Sequence, residues 1–179
     1  MEHITQYSSP LGVLTLAGAG GALTGLWLPG QKYFGRTLSK TASENDDLPV
    51  FRQAAQWLDR YFAKERPPSS DLPLAPAGSA FQQCIWQILC EIPYGKTATY
   101  GEIARQAAAR MGRQHMSAQA AGGAVGRNPI SIIIPCHRIV GTNGSLTGYA
   151  GGIDKKLWLL NWEGADTHNL WSPRKGSAL

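Results

Sequence analysis

The first third of the chain alternates apolar and polar residues in short runs that are typical of strands. Three such runs lie between Ile4 and Trp27, and turns rich in glycine, serine and proline separate them. This spacing predicts an antiparallel meander. From Phe51 onward the apolar residues recur at helical spacing, after a capping position at Asp47 and a proline, Pro49, suited to a first helical turn. The sequence therefore predicts one amphipathic helix that covers a small sheet.

A proline-rich stretch, residues 66–78, interrupts these patterns. It holds four prolines and shows almost no periodicity, which is typical of a linker between two folded units. We therefore predict an N-terminal domain that includes the linker, residues 1–75, a C-terminal domain, residues 76–165, and a tail, residues 166–179.

Beyond the linker the pattern becomes helical, and two capping boxes mark where helices begin. In a capping box a hydroxyl residue precedes a Gln or Glu by three positions, and each side chain satisfies a backbone group at the helix start. Ser79 with Gln82 forms the first box, and Thr99 with Glu102 forms the second. The first helix carries an apolar stripe formed by Phe81, Ile85, Ile88, Leu89 and Ile92.

A third helical segment begins at Ser117, after a short polar break at residues 113–115. Two helices joined by such a break suggest a helix-turn-helix. The second helix of this pair consists almost entirely of alanine and glycine. A bare helix of this kind fits close packing in a core, which is the commoner explanation. It also fits a helix that must lie flush against a large flat ligand such as a nucleic-acid groove.

Composition narrows the class of protein. The chain has 179 residues, of which 43% are hydrophobic and 16% charged, so a globular domain fits better than a disordered or fibrous chain. No apolar run approaches the roughly 20 residues of a membrane span, and the N-terminus lacks the layout of a secretory signal. Three cysteines, none in a C-x-x-C pair, indicate a reducing compartment. We expect a soluble, cytoplasmic protein with no membrane partner.

The charge is unevenly distributed along the chain. Residues 1–75 hold seven basic and seven acidic side chains, whereas residues 76–179 hold ten and five and carry the whole net charge of +5. A basic C-terminal part is compatible with polyanion binding, although an excess of this size is also common in proteins that never touch nucleic acid.

The candidate chemistry follows an apolar run, residues 131–134, that predicts a buried strand ended by a proline. The next two residues are Cys136 and His137. A strand end presents side chains at a cleft, and a neighbouring imidazole favours the thiolate that a nucleophile needs. Against this, a lone cysteine is usually a small buried hydrophobe, and adjacent residues of an extended chain point opposite ways. Cys84 and Cys90 lie on or beside the apolar helical stripe, so packing is expected for them.

The segment around these two residues closely resembles the active-site signature of the methylated-DNA–protein-cysteine methyltransferases. It reads Asn-Pro-Ile-Ser-Ile-Ile-Ile-Pro-Cys-His-Arg-Ile-Val-Gly over residues 128–141. The resemblance extends upstream to residues 120–126 and downstream through residues 148–152 to residues 159–164. It covers roughly residues 79–164.

The resemblance implies a bacterial stand-alone DNA repair enzyme. Such a protein flips O6-alkylguanine, and also O4-alkylthymine, out of duplex DNA and transfers the alkyl group irreversibly to its own Cys136 in a single turnover. The implied fold is α+β, with a small ribonuclease H-like N-terminal sheet and helix and a mostly helical C-terminal domain with a helix-turn-helix. No cofactor and no metal are implied. The expected partner is double-stranded DNA carrying O6-alkylguanine, bound by a protein that is monomeric in solution, with cooperative loading left open.

The resemblance also assigns catalytic roles to five residues. Cys136 accepts the alkyl group, and His137 takes the thiol proton through a water. Glu163 holds the imidazole in its productive tautomer and stabilises its charged form, as a carboxylate does in a triad. Asn128 ties the turn between the recognition helix and the cysteine through its amide. Tyr100 helps to rotate the nucleotide and supplies a proton toward guanine N3.

Further residues are assigned by resemblance to the base pocket and to the DNA. In this family the alanine-glycine helix enters the minor groove, and glycine lets the backbone approach the base closely. Gln119 stands where the family usually has an arginine that fills the gap left by the flipped base. Ala150 stands where the family often has serine, which leaves a backbone N–H to meet O6. The expected pocket residues are Gly148, Tyr149, Ala150, Gly151 and Gly152, and the expected DNA-binding residues are Ser117, Ala118, Gln119, Ala120, Gly122, Gly123 and Arg138.

Two other classes of protein compete with this interpretation. An alkyltransferase-like sensor binds alkylated DNA without chemistry, but such proteins lack the acceptor thiol that Cys136 supplies here. A cysteine hydrolase using Cys136 and His137 would explain neither the alanine-glycine helix nor the basic C-terminal part. Mass spectrometry separates the three, because they predict one alkyl adduct on Cys136, no adduct, or turnover.

Overall fold

The computed structural model describes residues 1–173, which form two compact units of α+β architecture, as predicted. The first unit contains Met1–Ala77 together with Pro129–Ile133, and the second contains Gly78–Asn128 and the chain from Ile134 onward. The predicted linker is partly structured within the first unit, since a short 3-10 turn spans Ser69–Asp71. None of the helices in the described part of the chain is long and apolar enough to cross a membrane.

A four-stranded sheet with the order β3-β2-β1-β4 forms the centre of the first unit. The predicted antiparallel meander is confirmed, with β1 at His3–Ser9, β2 at Gly12–Ala19 and β3 at Ala22–Trp27. A two-residue strand, β4 at Ser43–Glu44, pairs in parallel with β1. Two residues carry too little alternation to be recognised in a sequence, so β4 was not predicted.

The predicted amphipathic helix is also present, as α1 at Pro49–Phe62, and it packs on β2 and β3. The proline occupies the first turn, where its missing N–H costs nothing. The predicted cap at Asp47 is wrong. Leu48 is the N-cap residue and makes no side-chain capping bond, while the backbone carbonyl of Asp47 accepts a hydrogen bond from Arg52.

Residues 131–134 do not form the predicted strand. They make a tight turn in which Ile132 has a φ of 69° and the Ile133 N–H donates to the carbonyl of Ser131. All four side chains are buried. Burial by itself produces a run of isoleucines, and prolines on both sides limit the backbone bonds that a strand would need. The prediction was therefore right about burial and wrong about backbone shape.

Four helices build the second unit, and three of them begin where the sequence predicts. Both capping boxes are present, at Ser79 and at Thr99, and Ser117 caps the third helix by accepting from the Ala120 N–H. The helices are α2 at Ala80–Cys90, α3 at Tyr100–Arg110, α4 at Ala118–Gly126 and α5 at Ile153–Trp162.

The helices α2, α3 and α4 pack against one another. The indole N–H of the buried Trp86 in α2 donates to the carbonyl of Ala124 in α4, over 2.9 Å. One face of α4 is buried by Ala121, Ala124 and Val125, whereas its first turn, residues 118–120, is exposed and Gly122 and Gly123 on the other face are half-buried. Close packing therefore explains one face of the alanine-glycine helix and leaves the other face unexplained.

Short elements position the site residues between these helices. Strand β5 at Ala98–Thr99 pairs in parallel with β6 at Ile139–Val140. This pairing brings the start of α3 beside a 3-10 turn at Cys136–Arg138. The first part of the predicted tail is anchored in the second unit, because Trp171 exchanges backbone hydrogen bonds with the turn at residues 144–146. The rest of that tail, residues 174–179, lies outside the described residues.

Candidate active site

Cys136 lies at the start of the 3-10 turn and is 4% exposed. The side-chain amide of Asn128, just after α4, donates to the sulfur over 3.2 Å and to the carbonyl of Ile134 over 2.8 Å. One amide therefore fixes the backbone before the cysteine and contacts the sulfur itself. An N–H donor aimed at sulfur favours the thiolate over the thiol.

His137 and Glu163 form a wholly buried pair. The imidazole Nε2 lies 2.7 Å from a carboxylate oxygen of Glu163, and both side chains have no exposed surface. Among residues 1–173 the other ring nitrogen, Nδ1, has no hydrogen-bond partner. An ionised Glu163 carboxylate can only accept a hydrogen bond, so Nε2 of His137 must carry the ring proton. Nδ1 is then left with a lone pair.

Two further groups hold the carboxylate of Glu163. The guanidinium of Arg138 donates to both carboxylate oxygens, over 2.8 and 3.0 Å, and the N–H of Gly95 donates over 3.2 Å. Burial disfavours the charge, but the hydrogen bonds and charges of His137 and Arg138 outweigh burial and hold the pKa of Glu163 well below its usual value. Glu163 therefore stays ionised as the histidine partner.

This arrangement gives Arg138 a different place from the predicted contact with DNA. Its third donor, Nη1, lies 2.6 Å from the carbonyl of Ile92, and its guanidinium also lies over the ring of Tyr94. A buried arginine with every nitrogen engaged inside the unit is not presented to a ligand. Local sequence gave no sign of this, because Arg138 and Glu163 are 25 positions apart.

Burial sets the protonation of the reacting pair. It raises the pKa of the Cys136 thiol, although the hydrogen bond from Asn128 and the charge of Lys156 oppose that rise. It also lowers the pKa of His137, against the opposing effect of Glu163. Cysteine and histidine are therefore both neutral at rest, which is the state from which a thiol can hand its proton to an imidazole.

Lys156 is a site residue that the sequence reasoning missed. It lies in α5 with no exposed surface, and its ammonium donates to the carbonyl of Thr147 over 3.3 Å and lies 6.0 Å from the ring centre of Tyr100. Burial lowers the pKa of Lys156 to about 8, although Cys136 opposes the shift. The available signal was its position three residues after Ile153 and four before Leu160, on the apolar side of the helix.

The hydroxyl of Tyr100 lies against the backbone of Thr147 and Gly148. The phenol of Tyr100 donates to the Thr147 carbonyl over 2.8 Å. Gly148 has a φ of 84°, and a Cβ there would lie 2.5 Å from the Tyr100 hydroxyl oxygen, so only glycine fits. Burial raises the pKa of Tyr100, and a thiolate at Cys136 would raise it further, so the phenol stays protonated as a donor.

The other predicted pocket residues follow directly in the chain. Tyr149 is buried, and no described residue hydrogen-bonds to its hydroxyl. Burial raises the pKa of Tyr149 well above its usual value, and a thiolate at Cys136 would raise it further. Ala150 is half-buried and Gly151 is buried, whereas Gly152 is exposed.

The predicted DNA-binding residues of α4 are mostly accessible. The ones at the helix start are exposed, and Gly122 and Gly123 are half-buried. A Cβ on Gly122 would lie 3.5 Å from the ring of Tyr100, so α4 runs alongside that tyrosine. The exposed residues are Ser117, Ala118, Gln119 and Ala120.

The three cysteines differ in environment, and none of them forms a disulfide within residues 1–173. Cys84 and Cys90 are half-buried on α2, so the packing expected for them is incomplete, whereas Cys136 is buried. Of the three, Cys136 is the one held by a neutral amide donor and influenced by a buried lysine.

Comparison with known proteins covers both units. Family profiles of 6-O-methylguanine DNA methyltransferase match residues 3–76, as its ribonuclease-like domain, and residues 80–165, as its DNA binding domain. A methylated-DNA–protein-cysteine methyltransferase of Haemophilus influenzae is 42% identical over 161 residues, which are 90% of this chain and 86% of that protein. One of Methanosarcina acetivorans is 44% identical over 160 residues, 89% and 96% of the two chains.

Solved structures that are similar to this chain include a protein of the same kind. The crystal structure of Mycobacterium tuberculosis OGT in complex with DNA superposes with a TM-score of 0.77 at 43% identity, covering 90% of this chain and 92% of that one. The similarity therefore extends well beyond residues 79–164, where the sequence signature lies.

Proposed function

The chain belongs to the methylated-DNA–protein-cysteine methyltransferase family, and from this premise we propose that it repairs DNA by moving an alkyl group from guanine O6 to the sulfur of Cys136. The observation that carries the proposal is the buried array in which Asn128 contacts the sulfur and Glu163 contacts the adjacent His137. Alkyl transfer to sulfur needs a thiolate and a base that can take its proton, and this array supplies both.

The reaction follows from the roles of these groups. The thiol proton passes to Nδ1 of His137, through a water as the family resemblance implies, and Glu163 stabilises the resulting imidazolium. The sulfur of Cys136 then bonds to the alkyl carbon as the bond between that carbon and O6 breaks. The electron pair stays on guanine, Tyr100 protonates it at N3, and the proton held by His137 returns through solvent to the Tyr100 phenolate. The products are S-alkylcysteine and guanine, so each molecule reacts once and needs no cofactor.

Burial of the acceptor supports base flipping. Cys136 and Tyr149 are both buried, so an alkyl group inside a stacked duplex could not reach the sulfur. We place the exposed face of α4 in the minor groove, with Gln119 in the gap left by the flipped base. The pocket at residues 148–151 would take the base itself, and O4-alkylthymine presents the same alkyl-oxygen bond as O6-alkylguanine.

The setting of the reaction follows from its requirements. The acceptor must stay a free thiol, which favours the reducing cytoplasm. All the site residues come from the second unit of one chain, so a second copy is not needed for the chemistry and we propose that the monomer acts. A sensor without chemistry is disfavoured because the acceptor thiol is present and held by Asn128.

The test uses a duplex that carries one O6-methylguanine, followed by peptide mapping. We expect one methyl group per protein molecule, on Cys136. The Cys136→Ala variant should lose transfer and still bind DNA, while Cys84→Ala and Cys90→Ala serve as matched controls that keep transfer. Methylation of Cys84 or Cys90 at the native rate in the Cys136→Ala variant would show that the acceptor is wrongly assigned.

A further inference from the structure

A cleft of about 460 Å³ lies beside the proposed DNA-facing helix, between α3 and the turn that leads to α4. One wall is a face of α3, and the other is the turn at residues 113–116. The residues that matter here are Gly101, Arg105, Ala109, Arg113, His115 and Ala118. No acidic side chain of the described chain lines the cleft.

The charged groups of the two arginines in this cleft do not take part in the packing of the second unit. Arg105 and Arg113 are exposed, and neither guanidinium group forms a hydrogen bond or an ion pair with any residue between 1 and 173. The charge of Arg105 acts on Glu102, but that carboxylate accepts hydrogen bonds from the backbone N–H and the hydroxyl of Thr99 and not from the guanidinium. By contrast Arg110, on the same helix, is paired with Glu91 over 2.6 Å.

The position of the cleft matters because α4 itself brings no charge. Its nine residues, Ala118–Gly126, include no lysine or arginine. A helix in the minor groove, about 6 Å wide, has a row of phosphates on each side. Protein contacts with those phosphates fix the register on DNA and provide most of the nonspecific affinity. The elements beside α4 must then supply the positive charge.

We propose that this cleft binds the phosphate backbone of duplex DNA through Arg105 and Arg113. The inference rests on the proposed function, since it takes the exposed face of α4 as the surface that meets DNA. The cleft reaches from Gly101, next to Tyr100, to Ala118, next to Gln119, so a bound phosphate would lie beside the nucleotide that is flipped. The site would position the lesion without touching the alkyl group.

The first test measures binding to an unmodified duplex by fluorescence anisotropy at several salt concentrations. Each lost phosphate contact should weaken binding roughly five- to tenfold at 0.1 M salt and reduce the slope of log K against log salt by about 0.9. We expect this for Arg105→Gln and for Arg113→Gln, and about twice the slope change for the double variant. Arg110→Gln is the matched control, because it removes the same charge from α3 outside the cleft.

The second test locates the contact on DNA. Single phosphates beside the lesion site are replaced by neutral methylphosphonates. The unaltered protein should lose affinity at one or two positions, and the double variant should lose nothing more there, because both changes remove the same interaction.

Three outcomes would overturn the proposal. The first is that the double variant binds DNA as tightly as Arg110→Gln does. The second is that the losses caused by the double variant and by the methylphosphonates add together. The third is that the double variant loses as much reactivity toward the free base O6-benzylguanine, which has no phosphate, as it loses in DNA binding. Failure of the proposed function is distinguishable, since it would appear as an unalkylated Cys136 in the unaltered protein while DNA binding is measured independently.

Discussion

Cys136 and His137 are neighbours in the chain, yet each is held by a different partner. Asn128 donates to the sulfur and Glu163 takes the Nε2 side of the imidazole. This division leaves Nδ1 as the ring nitrogen able to receive a proton, with Arg138 keeping the carboxylate charged from its other side. The family resemblance names Asn128 and Glu163 for these places, but no local pattern indicates that Arg138 binds the carboxylate of Glu163.

Lys156 provides the first test at this scale. Its positive charge lowers the pKa of Cys136, so Lys156→Met should slow alkylation by free O6-benzylguanine about tenfold at pH 7, because less of the thiol is ionised. Since the pKa of Lys156 is about 8, the native lysine loses its charge above that pH and the difference between the two proteins should narrow there. Single-turnover rates from pH 6.5 to 9.5 measure this.

The neighbouring Lys155, which is only half-buried, gives the matched control for that experiment. Lys155→Met should react at the native rate across the pH range. A ratio of native to Lys156→Met rates that stays constant through pH 9.5 would mean that the lysine acts through packing and not through its charge.

His137 makes stability depend on pH. Burial lowers its folded pKa below the ordinary 6.5, so the unfolded chain binds a proton below that pH and the folded protein does not. The free energy of unfolding should therefore fall as pH drops below about 6.5, by up to about 1.4 kcal/mol per pH unit. Glu163, with its lowered pKa, contributes in the same direction at lower pH, since its stabilisation is lost as the carboxylate becomes protonated.

Urea unfolding of the native protein and His137→Gln between pH 5 and 8 tests this assignment. The variant should be less stable at every pH but should show a flatter dependence between pH 5.5 and 6.5, by about 1 kcal/mol. Parallel curves for the two proteins would show that another group causes the acid destabilisation.

At the scale of elements, helices with local signals were predicted well. A capping box or an N-cap serine lies within four residues of the helix that it starts, so Ser79, Thr99 and Ser117 could be recognised without knowing the fold. The segment 131–134 could not, because a run of isoleucines indicates burial and is compatible with either a strand or a buried turn. Strands β4, β5 and β6 are two residues long and pair with segments that are distant in the chain, so no local pattern predicts them.

The helix α4 carries the next prediction. Gln119 is exposed near its start and stands where the family usually has an arginine. Gln119→Arg would add one charged hydrogen bond, worth about 1.5–3 kcal/mol when desolvated and less in a wet groove. We therefore expect modestly tighter DNA binding and faster repair of a methylated duplex, with little change in the reaction with O6-benzylguanine, which needs no flipping.

Gln106→Arg is the charge-matched control for this change, because residue 106 is exposed on α3 and does not line the cleft. The measurement is a pair of single-turnover rates, one for the duplex and one for the free base. Equal acceleration of both, or slower duplex repair, would contradict the placement of Gln119 in the base gap.

At the scale of the whole molecule, not every basic side chain counted in the formal net charge is accessible to a polyanion. Residues 76–179 carry the whole net charge of +5, but Arg138 and Lys156 are buried and Arg110 is paired with Glu91. Within residues 76–173 the basic residues that remain are Lys96, Arg105, Arg113, Arg127 and Lys155. The sequence predicted which part of the chain is basic, and the structure separates internal charges from accessible ones.

This count predicts the salt dependence of DNA binding. At most five phosphate contacts from these residues give a slope of log K against log salt of about −2 to −4.5, since each contact contributes about −0.9. Because such contacts read phosphates and groove shape, two unmethylated duplexes of unrelated sequence should bind with affinities within about threefold of each other. Anisotropy titrations from 50 to about 300 mM salt give both quantities. Lys40→Gln changes an exposed residue of the neutral N-terminal unit and should leave the slope unaltered. If the slope of the native protein is near zero, or if Lys40→Gln changes it as much as Arg105→Gln does, DNA is bound by a different surface.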